Sequence, residues 1–300
     1  MQILRTPDSR FEGLPDYDFA PTYVDVGGLQ MHCVDAGPSD GAIVLLLHGE
    51  PSWSYLYRHM IPPLRDAGFR VIAPDLIGFG KSDKLVRKAD YSFAAHVTWM
   101  TRFVEALDLR DITLFCQDWG SLIGLRVAAE NEERFARIAL GNGGLPTGDR
   151  AMPRAFKVWQ AFARFSPWFP LGKIVQSATV TRLPDAVVAA YDAPFPSGKY
   201  KAGARAFPLL VPTRPDDPAS AANRAAWEVF KRWEKPFLTC FSNRDPITRG
   251  GEKIWQGTVP GARDQQHVKI RNAGHFLQED KGGELAAVLI RFIETSVRGT

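Results

Sequence analysis

The stretch Ile112-Thr-Leu-Phe-Cys-Gln-Asp-Trp-Gly-Ser-Leu-Ile-Gly-Leu-Arg126 decides the fold. It reads as a strand that runs without a loop into a helix, with Gly120 and Gly124 small enough for the helix to pack closely. This is the pattern of a nucleophile elbow, whose apex is normally Ser within G-x-S-x-G. Here the apex is Asp118, flanked by Gln117 and Trp119. The change of residue changes the chemistry: a carboxylate is a poorer nucleophile than a serine alkoxide and suits displacement at a saturated carbon bearing a good leaving group, giving an alkyl ester of the enzyme. Burial disfavours the charged carboxylate, whereas N–H groups at the start of the following helix favour it. The second effect is expected to prevail and leave an anion. A plain helix cap is the alternative role for Asp118.

Outward from this stretch, short apolar runs alternate with longer amphipathic segments, the pattern of a parallel sheet flanked by helices, so the class is α/β. Strands are expected at Val24–Val26, Met31–Ala36, Ile43–Leu47, Arg70–Pro74, Ile112–Cys116, Ile138–Leu140, Phe237–Phe241 and His267–Ile270. Gly27 and Gly28 supply a hairpin turn between the first two, so an antiparallel edge leads into the sheet. Helices are expected at Phe93–Leu107, Leu122–Asn131, Trp227–Arg232 and Glu284–Val297. From Pro146 to about Pro218 the chain is rich in Pro, Phe and Trp, with broken helical stretches and no convincing strand. We therefore expect a core of residues 1–145 and 223–300 interrupted by a helical cap over 146–222.

Two further residues complete a triad in the chain order nucleophile, acid, His. His275 lies in Asn272-Ala-Gly-His-Phe-Leu-Gln-Glu279, in a loop after a strand, where a base should stand. Neutral, it would draw a proton from water so that hydroxide attacks the ester carbonyl. His32, His48, His59, His96 and His267 are expected to be structural. Asp245, in Phe241-Ser-Asn-Arg-Asp-Pro246, would orient His275, although an Asp-Pro turn is a competing reading. The corresponding site after the sixth strand, Gly141-Asn-Gly-Gly144, carries no carboxylate. Ile43-Val-Leu-Leu-Leu-His-Gly-Glu-Pro-Ser-Trp53 is a strand ending in a sharp turn that can aim the backbone N–H of Glu50 at an oxyanion, with the N–H of Trp119 as second donor. The Glu50 side chain is a candidate to hold the hydrolytic water, or is purely structural.

Composition removes several function classes. The 300 residues are 45% hydrophobic and 23% charged, which excludes a disordered or collagen-like chain. Lys and Arg number 37 against 33 Asp and Glu, and the resulting +4 is scattered rather than clustered, too weak a field to imply nucleic acid. No apolar stretch approaches the roughly 20 residues of a membrane span, and Met1–Phe11 has no signal-peptide core. Cys33, Cys116 and Cys240 lie singly in apolar runs, without metal spacing, and read as buried thiols. A monomeric cytoplasmic protein is expected.

His48-Gly-Glu-Pro-Ser-Trp-Ser-Tyr-Leu-Tyr57, Asp75-Leu-Ile-Gly-Phe-Gly-Lys-Ser-Asp83, Gln117-Asp-Trp-Gly120 and Gly274-His-Phe-Leu-Gln-Glu279 resemble the haloalkane dehalogenases of the α/β-hydrolase superfamily, over nearly the whole chain. The similarity is to the subfamily whose catalytic acid follows the seventh strand. It implies a mostly parallel eight-stranded sheet with an inserted helical cap, no metal and no organic cofactor, and a small apolar halogenated substrate cleaved with water to alcohol, halide and a proton. It also implies two indole N–H donors to the halogen, one beside the nucleophile and one in the cap. An indole donates but cannot accept, so it stabilises a nascent halide without offering a competing base. Trp119 fits the first place. Ala155-Phe-Lys-Val-Trp-Gln160 resembles the family's cap segment and assigns Trp159 to the second, with Trp168 as competitor and Phe156 lining the pocket. Phe207-Pro-Leu-Leu-Val211 resembles the cap's lining stretch, giving Phe207, Pro208 and Val211, and Leu122 and Ile247 are expected to complete an apolar cavity.

Three other readings stay open at this level. Epoxide hydrolases share the Asp-His-Asp chemistry and hold the epoxide oxygen with two cap tyrosines, here Tyr191 and Tyr200. A non-catalytic ligand-binding protein would bind without releasing halide. A serine esterase would have to use Ser121, which lies beyond the apex.

Overall fold

The computed structural model describes residues 2–152 and 154–297. Residues 1, 153 and 298–300, which the expected core and cap ranges include, lie outside the described residues. The main sheet is built from β2 (Pro21–Asp25), β3 (Gln30–Ala36), β4 (Ile43–Leu47), β5 (Arg70–Pro74), β7 (Ile112–Asp118), β8 (Phe135–Gly143), β9 (Phe237–Ser242) and β10 (Val268–Ile270). A separate antiparallel pair joins β1 (Ile3–Leu4) to β6 (Lys84–Leu85). These two-residue pieces are too short for a periodic signal, and the sequence reading had no strand there.

Strand order is β10-β9-β8-β7-β4-β5-β3-β2. All neighbours run parallel except β2–β3 and β3–β5, so the antiparallel edge is present, turning through Gly27 and Gly28 at φ 100° and 85°. From β4 the chain steps one way to β5, and from β7 it steps the other way to β8 and β9. The β4/β7 junction is therefore the point where the order reverses, and in open α/β sheets ligands bind outside the carboxyl ends of the strands there. Register does the rest: Leu47 pairs with Cys116, which sets the His48–Glu50 turn beside Gln117–Trp119. Asp118 pairs with Gly143 across a register irregularity, and Ser242 pairs with Ile270, so Asp245 and His275 emerge from the same edge.

The flanking helices are α1 (Ile61–Asp66), α2 (Phe93–Ala106), α3 (Trp119–Glu130), α9 (Glu252–Thr258) and α10 (Leu277–Val297). Ser92 caps α2 by accepting the Ala95 N–H at 3.1 Å. α3 starts at Trp119, three residues before the expected Leu122, because the strand turns directly into it. Its contact with β4 is at backbone distance, since a Cβ on Gly120 would fall 2.0 Å from the Leu47 carbonyl oxygen. Val44, Leu45, Leu46 and Leu47 are buried on both faces of the sheet, each worth roughly 1.5–3 kcal/mol of apolar transfer. α10 begins at Leu277 rather than Glu284, and a non-helical Lys281 (φ −147°, ψ 37°) separates its first turn from the amphipathic part.

Between β8 and β9 the described residues form helices and no strand: α4 (Arg154–Phe165), α5 (Leu171–Ser177), α6 (Asp185–Asp192), α7 (Ala202–Leu210) and α8 (Ser220–Phe230). The helix expected at Trp227–Arg232 is the end of α8, and the division expected between residues 222 and 223 falls inside it. α8 packs on α3, where Arg126 Nη1 donates to Asn223 Oδ1 at 3.0 Å, so the whole helix rests on the sheet side.

Candidate active site

Asp118 sits at the β7–α3 corner with φ 50° and ψ −128°. A non-glycine residue in that region costs on the order of 1–3 kcal/mol and is held by its surroundings. Here β7 pairing on one side and α3 packing on the other fix it. Its Oδ1 accepts the backbone N–H of Glu50 at 2.7 Å, and its Oδ2 lies 3.3 Å from His275 Nε2. The opposite ring nitrogen, Nδ1, is 3.1 Å from Asp245 Oδ2. Asp118, His275 and Asp245, 157 or fewer residues apart in sequence, thus meet in one chain of contacts. Asp118 makes no side-chain cap hydrogen bond to α3, so the simple cap reading fails.

The carboxylate of Asp245 is almost fully buried and accepts the Ile247 N–H at 2.9 Å, the Thr248 N–H at 3.2 Å and the Thr248 hydroxyl. Burial opposes its charge, but His275 and these donors outweigh it and carry the carboxyl down to about 2. Burial likewise disfavours the imidazolium of His275, yet Asp245 and Asp118 together push it up to about 10. Glu50 is buried beside them. Desolvation first, then repulsion from Asp118, raises its carboxyl well above the ordinary range, and its Oε1 has no partner.

Three of the other histidines are engaged in hydrogen bonds away from Asp118, and His96 is buried among aromatic rings. His48 Nδ1 meets the Gly49 carbonyl at 2.9 Å and its Nε2 accepts the Leu76 N–H at 2.9 Å, while burial lowers its pKa. His32 Nδ1 lies 2.7 Å from Asp75 Oδ2, His267 Nδ1 accepts the Thr239 N–H, and burial pushes His96 down to about 3. His267 stands just before β10 rather than within it. Ser121 is buried, donates to the Asp118 carbonyl at 2.5 Å and accepts the Gly144 N–H at 2.9 Å, which leaves it no path to a substrate.

Trp119 is buried with its ring 4.4 Å from Phe207 and 5.3 Å from Phe93. Leu122, Pro208 and Val211 are also buried. Phe156 and Trp159 on α4 are half-buried against the core. The ring partners of Trp159 are Phe162 and Phe169, each at 5.8 Å, so the two indoles are not in ring contact with each other. Trp168 is 62% exposed with Lys173 Nζ 5.7 Å from its ring, a surface position. Ile247 corrects an expectation: it is 54% exposed, because its backbone N–H is turned inward to Asp245 and its side chain is left outside.

Several pairings around the site carried no readable signal. Arg58 and Glu279, 221 residues apart, form a bidentate buried ion pair that also receives the Tyr191 hydroxyl from α6. Gln117 and Asn142 donate to the main-chain carbonyl of His275 at 3.2 and 3.0 Å. Pairings of this separation exist only once the sheet is assembled. Among the described residues no group of three His, Cys, Asp or Glu side chains is placed to hold a metal ion, and no helix is long and apolar enough to cross a membrane.

Residues 42–282 match the family model described as the alpha/beta hydrolase fold, and a sheet with a nucleophile corner at its reversal point is that class of protein. A haloalkane dehalogenase of Psychrobacter cryohalolentis is 56% identical over 99% of this chain and 100% of its own length, and haloalkane dehalogenase 1 of Mycobacterium tuberculosis is 59% identical over 95% and 97%. Among solved structures, a haloalkane dehalogenase from Paraglaciecola agarilytica, described as tetrameric, superposes with a TM-score of 0.90 at 36% identity, covering 96% of this chain and 97% of that one. The chain belongs to the haloalkane dehalogenase family.

Proposed function

We propose that the protein hydrolyses carbon–halogen bonds of small haloalkanes through an ester on Asp118. The observation that carries this reading is the division of labour between the two oxygens of Asp118, whose side chain is 23% exposed: Oδ1 is held by the Glu50 N–H, and Oδ2 faces His275. In the first step Oδ2 bonds to the alkyl carbon as the carbon–halogen bond breaks, and the halide leaves with the electron pair. His275, protonated while Asp118 is charged, then has lost one of its two anionic neighbours and gives its proton to solvent. In the second step neutral His275 takes a proton from water while the water oxygen bonds to the ester carbon. Negative charge develops on Oδ1, against the Glu50 N–H and the unpaired first N–H of α3 at Trp119. The alkoxide departs with the remaining water proton as alcohol. Asp118 and protonated His275 are restored, and one halide, one alcohol and one proton have been released. Asp245 holds the imidazole tautomer and stabilises its charge.

Trp119 and Trp159 serve as the indole donors to the halide, with Trp159 favoured over Trp168 by its half-buried place in the cap. Phe156, Phe207, Pro208, Val211 and Leu122 form the apolar wall. Both steps are polar displacements, so neither metal nor organic cofactor is required. The position of Asp245 after the seventh strand of the main sheet supports that subfamily, and three free buried thiols support a cytoplasmic location. Epoxide hydrolysis is disfavoured because the hydroxyl of Tyr191 is spent on Glu279 in the interior.

The test is His275→Phe incubated with 1-bromobutane. Halide release of one equivalent with a butyl mass increase on the Asp118 peptide is expected. Halide release by the unaltered enzyme with no adduct in the variant overturns the two-step scheme, and diol from styrene oxide without halide from 1-bromobutane overturns the substrate class.

A further inference from the structure

We propose that the outer face of the cap helix α4 docks on an anionic lipid surface, holding the protein against a bilayer without spanning it. The net charge of the whole chain conceals a local excess. Residues 150–184 carry Arg150, Arg154, Lys157, Arg164, Lys173 and Arg182 and no Asp or Glu. Asp149, the acid just before this segment, is paired with Arg224 at 3.1 Å, and no ion pair among the described residues engages any of the six. The most exposed large hydrophobic side chains among the described residues stand in the same segment: Phe165 at 73%, Val158 at 69% and Trp168 at 62%.

Helix geometry gathers these groups on one side. Val158 and Phe165 are seven residues apart, two turns of α4, so their side chains point the same way. Exposed Arg154, Lys157, Ala161 and Arg164 fill the rest of that outward arc, while Phe156, Trp159 and Ala163 turn toward the core. The Arg164 guanidinium lies 5.3 Å from the Phe165 ring and Lys173 Nζ 5.7 Å from the Trp168 ring, so cations and exposed rings are neighbours. Lys88 and, on α7, Leu209 border the same surface beside Arg164 and Phe165, adding one charge and one aliphatic side chain.

An exposed apolar patch with a charged rim marks an interaction surface, and its chemistry selects the partner. Lys and Arg beside Trp, Phe and aliphatic side chains, on a helix too short and too charged to span, is the make-up of a helix that lies in the headgroup layer. Each cation near an anionic surface strengthens partitioning about fivefold, and unpaired like charges relieve their mutual repulsion there. A second copy of this face would set cation against cation. A nucleic-acid strand stacks on rings in a charged groove, whereas an outward helix ridge with Val158 and Leu209 suits acyl chains. The inference does not depend on the reaction proposed above.

The experiment is co-sedimentation with sucrose-loaded vesicles of phosphatidylcholine alone or mixed equally with phosphatidylglycerol. Binding to the mixed vesicles should exceed binding to the neutral ones at least ~10-fold and weaken as salt rises. Lys157→Gln with Arg164→Gln should weaken it about 30-fold, and Val158→Ser with Phe165→Ser about tenfold. Halide release from 1-bromobutane by both double variants in solution should stay within about twofold of the unaltered chain, since the four side chains lie outside the site. A spin-labelled lipid should quench indole fluorescence less in Trp168→Phe. Equal binding to both kinds of vesicle, binding to neither, double variants that bind as well as the unaltered chain, or quenching that Trp168→Phe leaves unchanged overturns the proposal. So does self-association without lipid that the serine variant abolishes, which would make the face a subunit contact, or tighter binding to a single-stranded oligonucleotide than to the mixed vesicles.

Discussion

Gly49→Ala tests how tightly the turn after β4 sets the nucleophile. A Cβ built at Gly49 falls 2.4 Å from both the Cβ and the Oδ1 of Asp118 and 2.7 Å from its Cγ, whereas ordinary contact begins at 3.4 Å. Gly49 does not adopt a left-handed φ, so alanine is allowed by the backbone and the perturbation is the methyl group alone. Because the Cβ of Asp118 is struck as well as its oxygen, rotating the side chain gives no relief; the carboxylate must retreat by about 1 Å. The Glu50 N–H bond to Oδ1, now 2.7 Å, is then stretched past hydrogen-bonding range. Losing a bond to a charged group is worth roughly 1.5–3 kcal/mol, and a misplacement of about 1 Å costs ~10²-fold in rate, two routes to the same size of effect. Overpacking should lower stability by only about 1–3 kcal/mol, so the variant folds. The rate of the halide burst with 1-bromobutane, read by stopped flow, should fall ~10²-fold. A burst within about threefold of the unaltered enzyme, in a protein whose urea midpoint shows it folded, would refute the claim that this turn fixes the carboxylate.

Glu279→Ala strands the buried Arg58 and should cost roughly 3–5 kcal/mol in urea unfolding; replacing Arg58, Glu279 and Tyr191 together by Met, Leu and Phe should be close to neutral, and a single-site loss below about 1 kcal/mol would show that the pair is not desolvated. Stability should also follow the triad's protonation. Asp245, held down at about 2, contributes on the order of 2 kcal/mol that is present above about pH 4 and lost as pH falls through 2. His275, held up at about 10, contributes stability that is full below about pH 6.5 and lost as pH rises through 10. Asp245→Asn should remove the acid limb and weaken the alkaline one, and unchanged unfolding curves across pH would contradict the pairing. Bromide quenching of indole fluorescence should weaken in Trp159→Phe and persist in Trp168→Ala; the reverse pattern would make Trp168 the second halide donor.

The elbow was legible because it is local: a strand, an apex residue and a helix within fifteen residues leave Asp118 few places to go. The meeting of Asp118, His275 and Asp245 was legible for a different reason, since Asp245 and His275 each follow an apolar run that becomes a parallel strand, and parallel strands of one sheet present their carboxyl ends at one edge. Boundaries were less legible. β8 runs past Ile138–Leu140 at both ends because β7 pairs with it from Phe135 to Gly143, whereas β9 pairs only with Ile138–Leu140, and pairing is not written in a single segment. The pocket lining was the least legible, as Ile247 shows: an apolar residue near the site was expected inside, and the direction of one turn put it outside.

By itself, then, the sequence determined the class of sheet and singled out a candidate nucleophile and the residues proposed to serve it, because these follow from periodicity, turn chemistry and the reactivity of a carboxylate. Tertiary structure alone decided which oxygen of Asp118 meets the Glu50 N–H and which meets His275, how Gln117 meets the ring of His275, and that Arg58 and Glu279 lock the core to Tyr191 of α6. Those contacts join residues between 68 and 221 positions apart. At such separations only the register of β4 on β7, and the way helices settle over the sheet, bring atoms within hydrogen-bonding distance.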